Sequence, residues 1–483
     1  VTVDALDLAR LQFALTISFH FIFPAITIGL SGLLAIVETV RWYKRSDVYD
    51  RLAVFLARLF AVTFVTGVVS GIVMEFQFGT NWSVFSGYVG DIFGAPLAAE
   101  GIFSFFLESA FLGVLLFGRR RVSSTVRWLS GVLVAFGTLL SAFWILVANS
   151  WMQTPAGYAC YPDPNDCAHA TKVVLTDFFA AVFNPSILPR FLHTVSACYV
   201  AGSFFLMSVS AFYVLRRRHL DVARPALRLA MIFAFLGAGA MFVTGDTQTR
   251  EVAEYQPLKF AAMEGICHTE KNAALTIFDV PPGQDCSSNP SGPLAIPDGL
   301  SLMMYFDASS TVKGLDQEPN RNLWPPVSAV FFGFHTMVAI GTIMLLLMLF
   351  GIFYLWRGSL EKHRWWLVLA VLAVPLPLIA VEIGWLVTEM GRQPWIVQSL
   401  LMTSQGVSPN VSAGDMAISI GGVLVTYSVL FLLWLYSLRR EIIRGPDLAP
   451  EAATTETVAA AQTKPAAGAK PAAGAKPAAE GGE

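Results

Sequence analysis

The stretch TEMGRQPW, residues 388–395, puts a carboxylate and a guanidinium at the end of an apolar run, AVPLPLIAVEIGWLV. Trp385, Glu389 and Arg392 recur at i, i+4 and i+7, so they share one helical face, with Glu382 a further turn back. A carboxylate with a guanidinium one turn away stays ionised. Such a Glu389 can ligate a ferric iron or anchor a water. The same residues also suit a snorkelling ion pair framed by tryptophans at a membrane surface.

Other apolar runs carry His20, Glu75, Glu100, Glu108, His193 and His335. A titratable side chain at bilayer depth is costly and marks function. At about 1.5 Å per residue from one side, most of these groups fall in the same half of the membrane, with Glu108 deepest. Two chemistries compete. An ion or proton pathway favours carboxylates, whereas haem needs axial ligands such as His, Met or Cys. Three membrane histidines favour haem, and Arg392 then suits a haem propionate. With only seven histidines in all, four of them in loops (His169, His219, His268, His363), the chain has too few for a haem–copper oxidase core or a two-haem cytochrome b. In SFHFIFPAITIGL, Pro24 removes the helical partner of the His20 carbonyl, and a kink there would open space beside the ring. His335 and Met337 are two apart, so on a helix they point about 200° apart and only one can face a haem. The residues alone favour His335.

These groups need membrane helices to hold them. Of 483 residues, 55% are hydrophobic and 14% charged, against about 25% charged in soluble domains. The fold expected is an all-α polytopic membrane protein. Runs near the roughly 20 residues a span requires lie at 11–38, 53–78, 92–117, 128–148, 187–215, 227–245, 327–356, 365–388 and 415–438. The first is longer than a signal-peptide core and lacks a cleavage pattern, so it counts as a span. Basic clusters at 41–51, 119–127, 216–228, 357–364 and 439–444 follow alternate spans and hold 19 of the 32 Lys and Arg. The positive-inside rule then sets the N-terminus outside and the C-terminus in the cytoplasm. The arginine runs are solvated span flanks, not a nucleic-acid surface. No phosphate loop, dinucleotide fingerprint or zinc spacing occurs. On the oxidising side, Cys160 and Cys167 share one loop and Cys267 and Cys286 another, which suggests two disulfides; free thiols are the alternative.

The chain divides into 1–245, holding six spans with His20, Glu100, Glu108 and His193; a long outer loop, 246–326; 327–445, holding three spans with Met337, Glu389 and Arg392; and 446–483, an Ala/Pro/Gly/Lys-rich segment with a KPAAGA repeat, expected to be a disordered cytoplasmic tail. Loops as long as 149–186 and 246–326 usually carry function or are disordered.

Taken together, GWLVTE (384–389), GRQPW (391–395), LQFALTISFHFIFPAITIGL (11–30), GIVMEFQFGTNW (71–82), EGIFSFFLES (100–109), SAFWILVANSWMQTP (141–155) and RFLHTVSACYV (190–200) resemble subunit I of the cytochrome bd quinol oxidases, in the right order and across all nine runs. The resemblance implies a terminal oxidase of the bacterial cytoplasmic (inner) membrane. It implies three haems: a low-spin haem b with His193 and Met337 as axial ligands, and a high-spin haem b and a haem d ligated by His20 and Glu389, with either site open to haem d. Met337 thus displaces His335, a position where the family often has Arg. Trp385 and Arg392 would flank the high-spin pair, and Glu100, Glu108 and Ser141 would serve proton routes to the oxygen site. QPLKFAAMEG (256–265) resembles the family's quinol site, with Lys259 and Glu264 as the pair that meets the quinol; from the residues alone, a solvated loop charge pair fits as well. The implied partners are a second membrane subunit, a small single-span subunit, the membrane quinone pool and O2. The expected activity is quinol oxidation at the outer face and O2 reduction to water, building membrane potential without a proton pump. A haem-free transporter, an oxidoreductase with a non-quinol donor and a haem-bearing assembly subunit are the rival readings.

Overall fold

Helix ends in this computed structural model follow local chemistry; it describes residues 4–119, 121–279, 286–289 and 294–446. Asp4 accepts the Ala5 amide and starts α1 (Ala5–Lys44), which ends where Arg45 turns left-handed. The next elements are α2 (Asp47–Thr80), α3 (Ser83–Ala99), a π turn (Glu100–Ser104), α4 (Phe105–Phe117) and α5 (Ser124–Gln153), capped by Ser123. A hairpin of β1 (Tyr158–Tyr161) and β2 (Lys172–Leu175), then the short α6 (Phe178–Val182), lead to α7 (Ile187–Arg216) and α8 (Leu220–Tyr255).

After α8 come α9 (Pro257–Glu264), β3 (Glu270–Lys271), β4 (Leu275–Phe278), β5 (Leu294–Ile296), α10 (Gly299–Tyr305) and β6 (Thr311–Val312). Two antiparallel pairs, β3–β6 and β4–β5, stitch this region. It is followed by α11 (Val327–Trp356), α12 (Arg364–Leu372), α13 (Pro375–Met390), the pair β7 (Trp395–Val397) and β8 (Leu401–Met402), and α14 (Ala413–Arg444). Pro375 and Pro377 break the eighth run, because proline cannot donate to the preceding turn.

Among the described residues, nine helical stretches are long and apolar enough to cross a membrane, and each expected run falls in one. The helices run past the apolar runs at most ends, as in α1, which spans Ala5–Lys44 rather than 11–38. The third stretch starts at Ser83 rather than 92, and α5 runs on to Gln153. Helix α8 continues to Tyr255, although its apolar run ends at 245. Its last three turns are polar yet find partners: Arg250 pairs with Asp246 and donates to the Met303 and Met304 carbonyls at the end of α10. The long loop therefore begins at 256 and carries regular structure. Helix α1 passes through Pro24 without interruption. The expected tail, from 447 on, lies outside the described residues.

Helix α1 is the axis of the packing. A Cβ at Gly29 would lie 2.2 Å from the Cys198 carbonyl oxygen and 2.7 Å from Gly202 Cα, so α1 and α7 touch backbone to backbone. Small residues allow such contacts where lipid supplies no hydrophobic drive between helices. The stretches 83–117, 321–356, 364–390 and 413–444 bury little of their apolar surface, so lipid or another protein must cover them. At the end carrying the basic clusters, Glu38 is buried between Arg41 (2.6 Å) and Arg127 (3.0 Å), and Arg127 also holds Asp50 at 2.6 Å. Removing one partner of so buried a pair costs about 3–5 kcal/mol.

Cys160 is bonded to Cys167 and Cys267 to Cys286; Cys198 is free and buried. Thiol counting checks this connectivity. Denatured without reductant, the chain should label once, at Cys198; with reductant, all five cysteines should label.

Candidate functional site

Two of the membrane histidines are held in the same manner. His20 Nδ1 lies 3.0 Å from Ser70 Oγ on α2, and the Ser70 hydroxyl donates its only proton to the Gly67 carbonyl at 2.9 Å. Ser70 can therefore only accept from His20, which fixes the ring as the Nδ1–H tautomer. His193 Nδ1 lies 3.2 Å from Thr244 Oγ1 on α8, and Thr244 donates to the Ala240 carbonyl at 2.9 Å, so the same logic holds. In both rings Nε2 keeps its lone pair and makes no hydrogen bond among the described residues. A glycine on the neighbouring helix makes room for each. A Cβ at Gly71 would lie 3.1 Å from His20 Cε1, and one at Gly245 would lie 3.3 Å from His193 Cε1.

His335 is different. Its Nδ1 lies 2.9 Å from the Phe331 carbonyl and its Nε2 3.0 Å from the Thr276 carbonyl. Neither nitrogen offers a lone pair to open space, so the residue-only preference for His335 as a ligand is withdrawn. The ring instead fastens β4 of the loop to α11. Met337 points the other way, as the two-residue spacing requires. Its Sδ would lie 2.7 Å from a Cβ at Gly384 on α13, beside the half-buried Trp385.

Glu389 accepts from Asn149 Nδ2 on α5 at 3.0 Å and pairs through its other oxygen with Arg392. Each carboxylate oxygen has a second lone pair, so both contacts leave room for another bond. Arg392 also donates to the Ile396 carbonyl, and its Nε has no partner. The rest of GRQPW is structural. Gln393 accepts from Thr403 Oγ1 at 2.8 Å, the Gln393–Pro394 peptide is cis, and Trp395 enters β7. Gly391 must lack a side chain, because its Cβ would sit 2.7 Å from Lys259 Cγ.

Lys259 and Glu264 lie on α9 and are both buried, not a solvated loop pair. They do not meet each other. Lys259 Nζ donates to Gln153 Oε1 (3.1 Å) and Gln256 Oε1 (3.3 Å). Burial lowers the ammonium well below the usual lysine range; Arg190 lowers it further, and Glu389 and Glu251 oppose this. Both Glu264 oxygens lack a partner, and burial raises that carboxyl to about 8.

Glu100 and Glu108 are eight apart, which on a regular helix leaves them about 80° out of phase. The π turn at Glu100–Ser104 absorbs one residue and brings them to within about 20°. Both then face α5: Glu100 accepts from Ser141 Oγ at 2.8 Å, and a Cβ at Gly137, one turn before Ser141, would lie 3.0 Å from Glu108 Cγ. Glu382 lies beside Ser18 of α1, and Glu75 is exposed on the α2 surface.

A family model for cytochrome bd terminal oxidase subunit I matches residues 8–446. The chain belongs to this family. It is 38% identical to "Cytochrome bd ubiquinol oxidase subunit 1" of Bacillus subtilis, over 92% of this chain and 95% of that one. It is 36% identical to "Cytochrome bd-II ubiquinol oxidase subunit 1" of Escherichia coli, over 94% and 99%. The solved bd oxidase from Geobacillus thermodenitrificans superposes with a TM-score of 0.82 at 29% identity, covering 91% of this chain and 99% of the other. This bd oxidase subunit is a multi-pass protein of a bacterial inner membrane and part of a quinol:oxygen oxidoreductase, and its family implies haem cofactors.

The donor set of the bd subunit suits haem. Among the described residues, no three His, Cys, Asp or Glu side chains converge as a metal cage would require. Single imidazoles with a free Nε2 suit a macrocycle that brings its own four nitrogens. A second observation concerns charge. Arg190 of α7 is buried with Nε and Nη2 unpartnered, and Arg392 Nε is equally bare. An orphaned buried donor costs about 1–3 kcal/mol, which haem propionates would relieve.

Sequence reasoning missed Arg190, Glu251, Asn149, Gln153, Gln256, Ser70 and Thr244. Only Arg190 had a legible signal, as a cation one turn before His193 inside an apolar run. The hydroxyl contacts lead to a selective expectation. Ser70→Ala should weaken haem retention at the His20 site, and Thr244→Val at the His193 site, by about 10–100-fold in affinity. Haem content and band amplitudes of the two purified variants check this.

Proposed function

We propose that His193 and Met337 hold a low-spin haem b, and that His20 and Glu389 hold a high-spin haem b and a haem d, with the assignment between these two sites open. The observation that carries the reading is the pair of hydroxyl-pinned imidazoles with free Nε2 atoms. When bound, the haems supply one-electron chemistry and the place where O2 becomes water. Trp385 and Arg392 flank the high-spin pair. The chain lies with its N-terminus outside and its C-terminus in the cytoplasm, and residues 246–326 carry the quinol-binding loop between the first six and last three spans.

Quinol is oxidised at the outer face beside α9. Each quinol gives up two protons with two electrons, and Glu264 is the base that accepts a proton. Lys259 orients this region through Gln153 and Gln256, and its Nζ hydrogen-bonds a quinol ring oxygen. Protons for water formation come from the cytoplasm past Glu108 and then Glu100 and Ser141. Release outside and uptake inside build membrane potential without a pump. The assembly partners are a second membrane subunit and a small single-span subunit, which cover the exposed apolar stretches; the quinol comes from the membrane quinone pool.

Two tests follow. Met337→Leu should abolish the low-spin spectrum, while His335→Ala should leave it in place; an unchanged spectrum in Met337→Leu contradicts the ligand assignment. Because the Glu264 carboxyl is raised to about 8, its basic form grows with pH. The quinol kcat/KM should climb to around pH 8 and then level off. Glu264→Gln should remove that rise and slow quinol oxidation about 10²–10⁴-fold.

A further inference from the structure

We infer that Arg190 anchors a carboxylate of the haem that His193 ligates, and so supplies the cationic contact that His335 does not. The inference rests on the reading of His193 as a haem ligand. Arg190 precedes His193 by three residues on α7, so both side chains leave the same face of one helix, and the two lie within electrostatic reach of each other. Arg190 is 3% exposed, with Nε and Nη2 both unpartnered.

Its charged neighbours do not satisfy it. Glu251, Glu389, Arg392 and Lys259 surround it. Glu389 is taken by Arg392 and Asn149. Glu251 accepts from Ser186 and leaves its other oxygen bare, and no ion pair joins it to Arg190. Arg190 thus stands buried without an ion-pair partner, with Glu389 already held by Arg392. The unmet need is for a planar anion beside the His193 ring. A guanidinium fork binds a carboxylate through two parallel N–H bonds, and a haem propionate is a carboxylate carried to that place by the ligand bond itself. A water could accept one hydrogen bond but would leave the charge unbalanced. His335 is excluded from the role because both its nitrogens are spent on backbone carbonyls.

The experiment uses the purified oxidase complex with Arg190→Gln, Arg190→Lys and His193→Ala. Haem content is measured together with the midpoint potential of the low-spin band by spectroelectrochemical titration. A buried cation disfavours ferric iron. Arg190→Gln should therefore lower the low-spin midpoint or lose that haem, and Arg190→Lys should recover most of the wild-type value. Unchanged potential and content in Arg190→Gln overturn the inference. If Arg190→Gln does not accumulate, Arg190→Lys decides through resonance Raman: the propionate-bending band of the low-spin haem should shift, and an unshifted band overturns it. Retention of the low-spin band in His193→Ala would instead sink the ligand reading, while the Arg190 variants still report whether this side chain touches a haem carboxylate.

Discussion

Arg190, Lys259, Arg392, Glu251 and Glu389 are held out of water at one end of a membrane bundle, and each must find a partner or carry a penalty. That constraint organises this end of the bundle. Glu389 is held from two elements, by Asn149 on α5 and by Arg392 just past α13. Lys259 draws α9 onto the end of α5 and onto Gly391. Ser186, at the start of α7, reaches Glu251 on α8. Lys259 on α9 and the Glu389–Arg392 pair are therefore both tied to the end of α5, through Gln153 and Asn149.

Glycines decide where several side chains inside the bundle can lie. Gly71 faces His20, Gly245 faces His193, Gly384 faces Met337, Gly137 faces Glu108 and Gly391 faces Lys259. In a bilayer, helices associate by close packing and polar contacts rather than by hydrophobic exclusion. A glycine opposite a ring or a thioether keeps helix spacing tight elsewhere while leaving a slot beside that side chain. The opposite end of the bundle has a different task. There the Glu38–Arg127–Asp50 network ties α1, α2 and α5 together with its charges mutually satisfied.

The positions of the spans were legible because twenty apolar residues have few other uses. The ends were not: the turns of α8 beyond 245 are polar, and they are helical because Arg250 finds Asp246 and the α10 carbonyls. Single histidines in apolar runs stood out in the sequence, but their tautomers depend on Ser70 and Thr244, which come from other helices. Periodicity could show that His335 and Met337 diverge, not which of them faces solid backbone. The π turn that aligns Glu100 with Glu108 has no signature in EGIFS and shows only in the structure, where Glu100 meets Ser141 of α5. Lys259 and Glu264 looked like loop charges because burial of a short helix under a long loop leaves no periodic trace over eight residues.

The most direct test of the account is a quantitative dithionite-reduced minus oxidised visible spectrum of the purified complex, wild type beside His20→Ala. The account predicts a chlorin band in the red together with b-type bands in the wild type, and in the variant the selective loss of one high-spin component with the low-spin bands intact. Full retention of every band in His20→Ala, from protein that still assembles, would contradict the claim that a hydroxyl-pinned imidazole with a free Nε2 is the ligand-holding device of this fold.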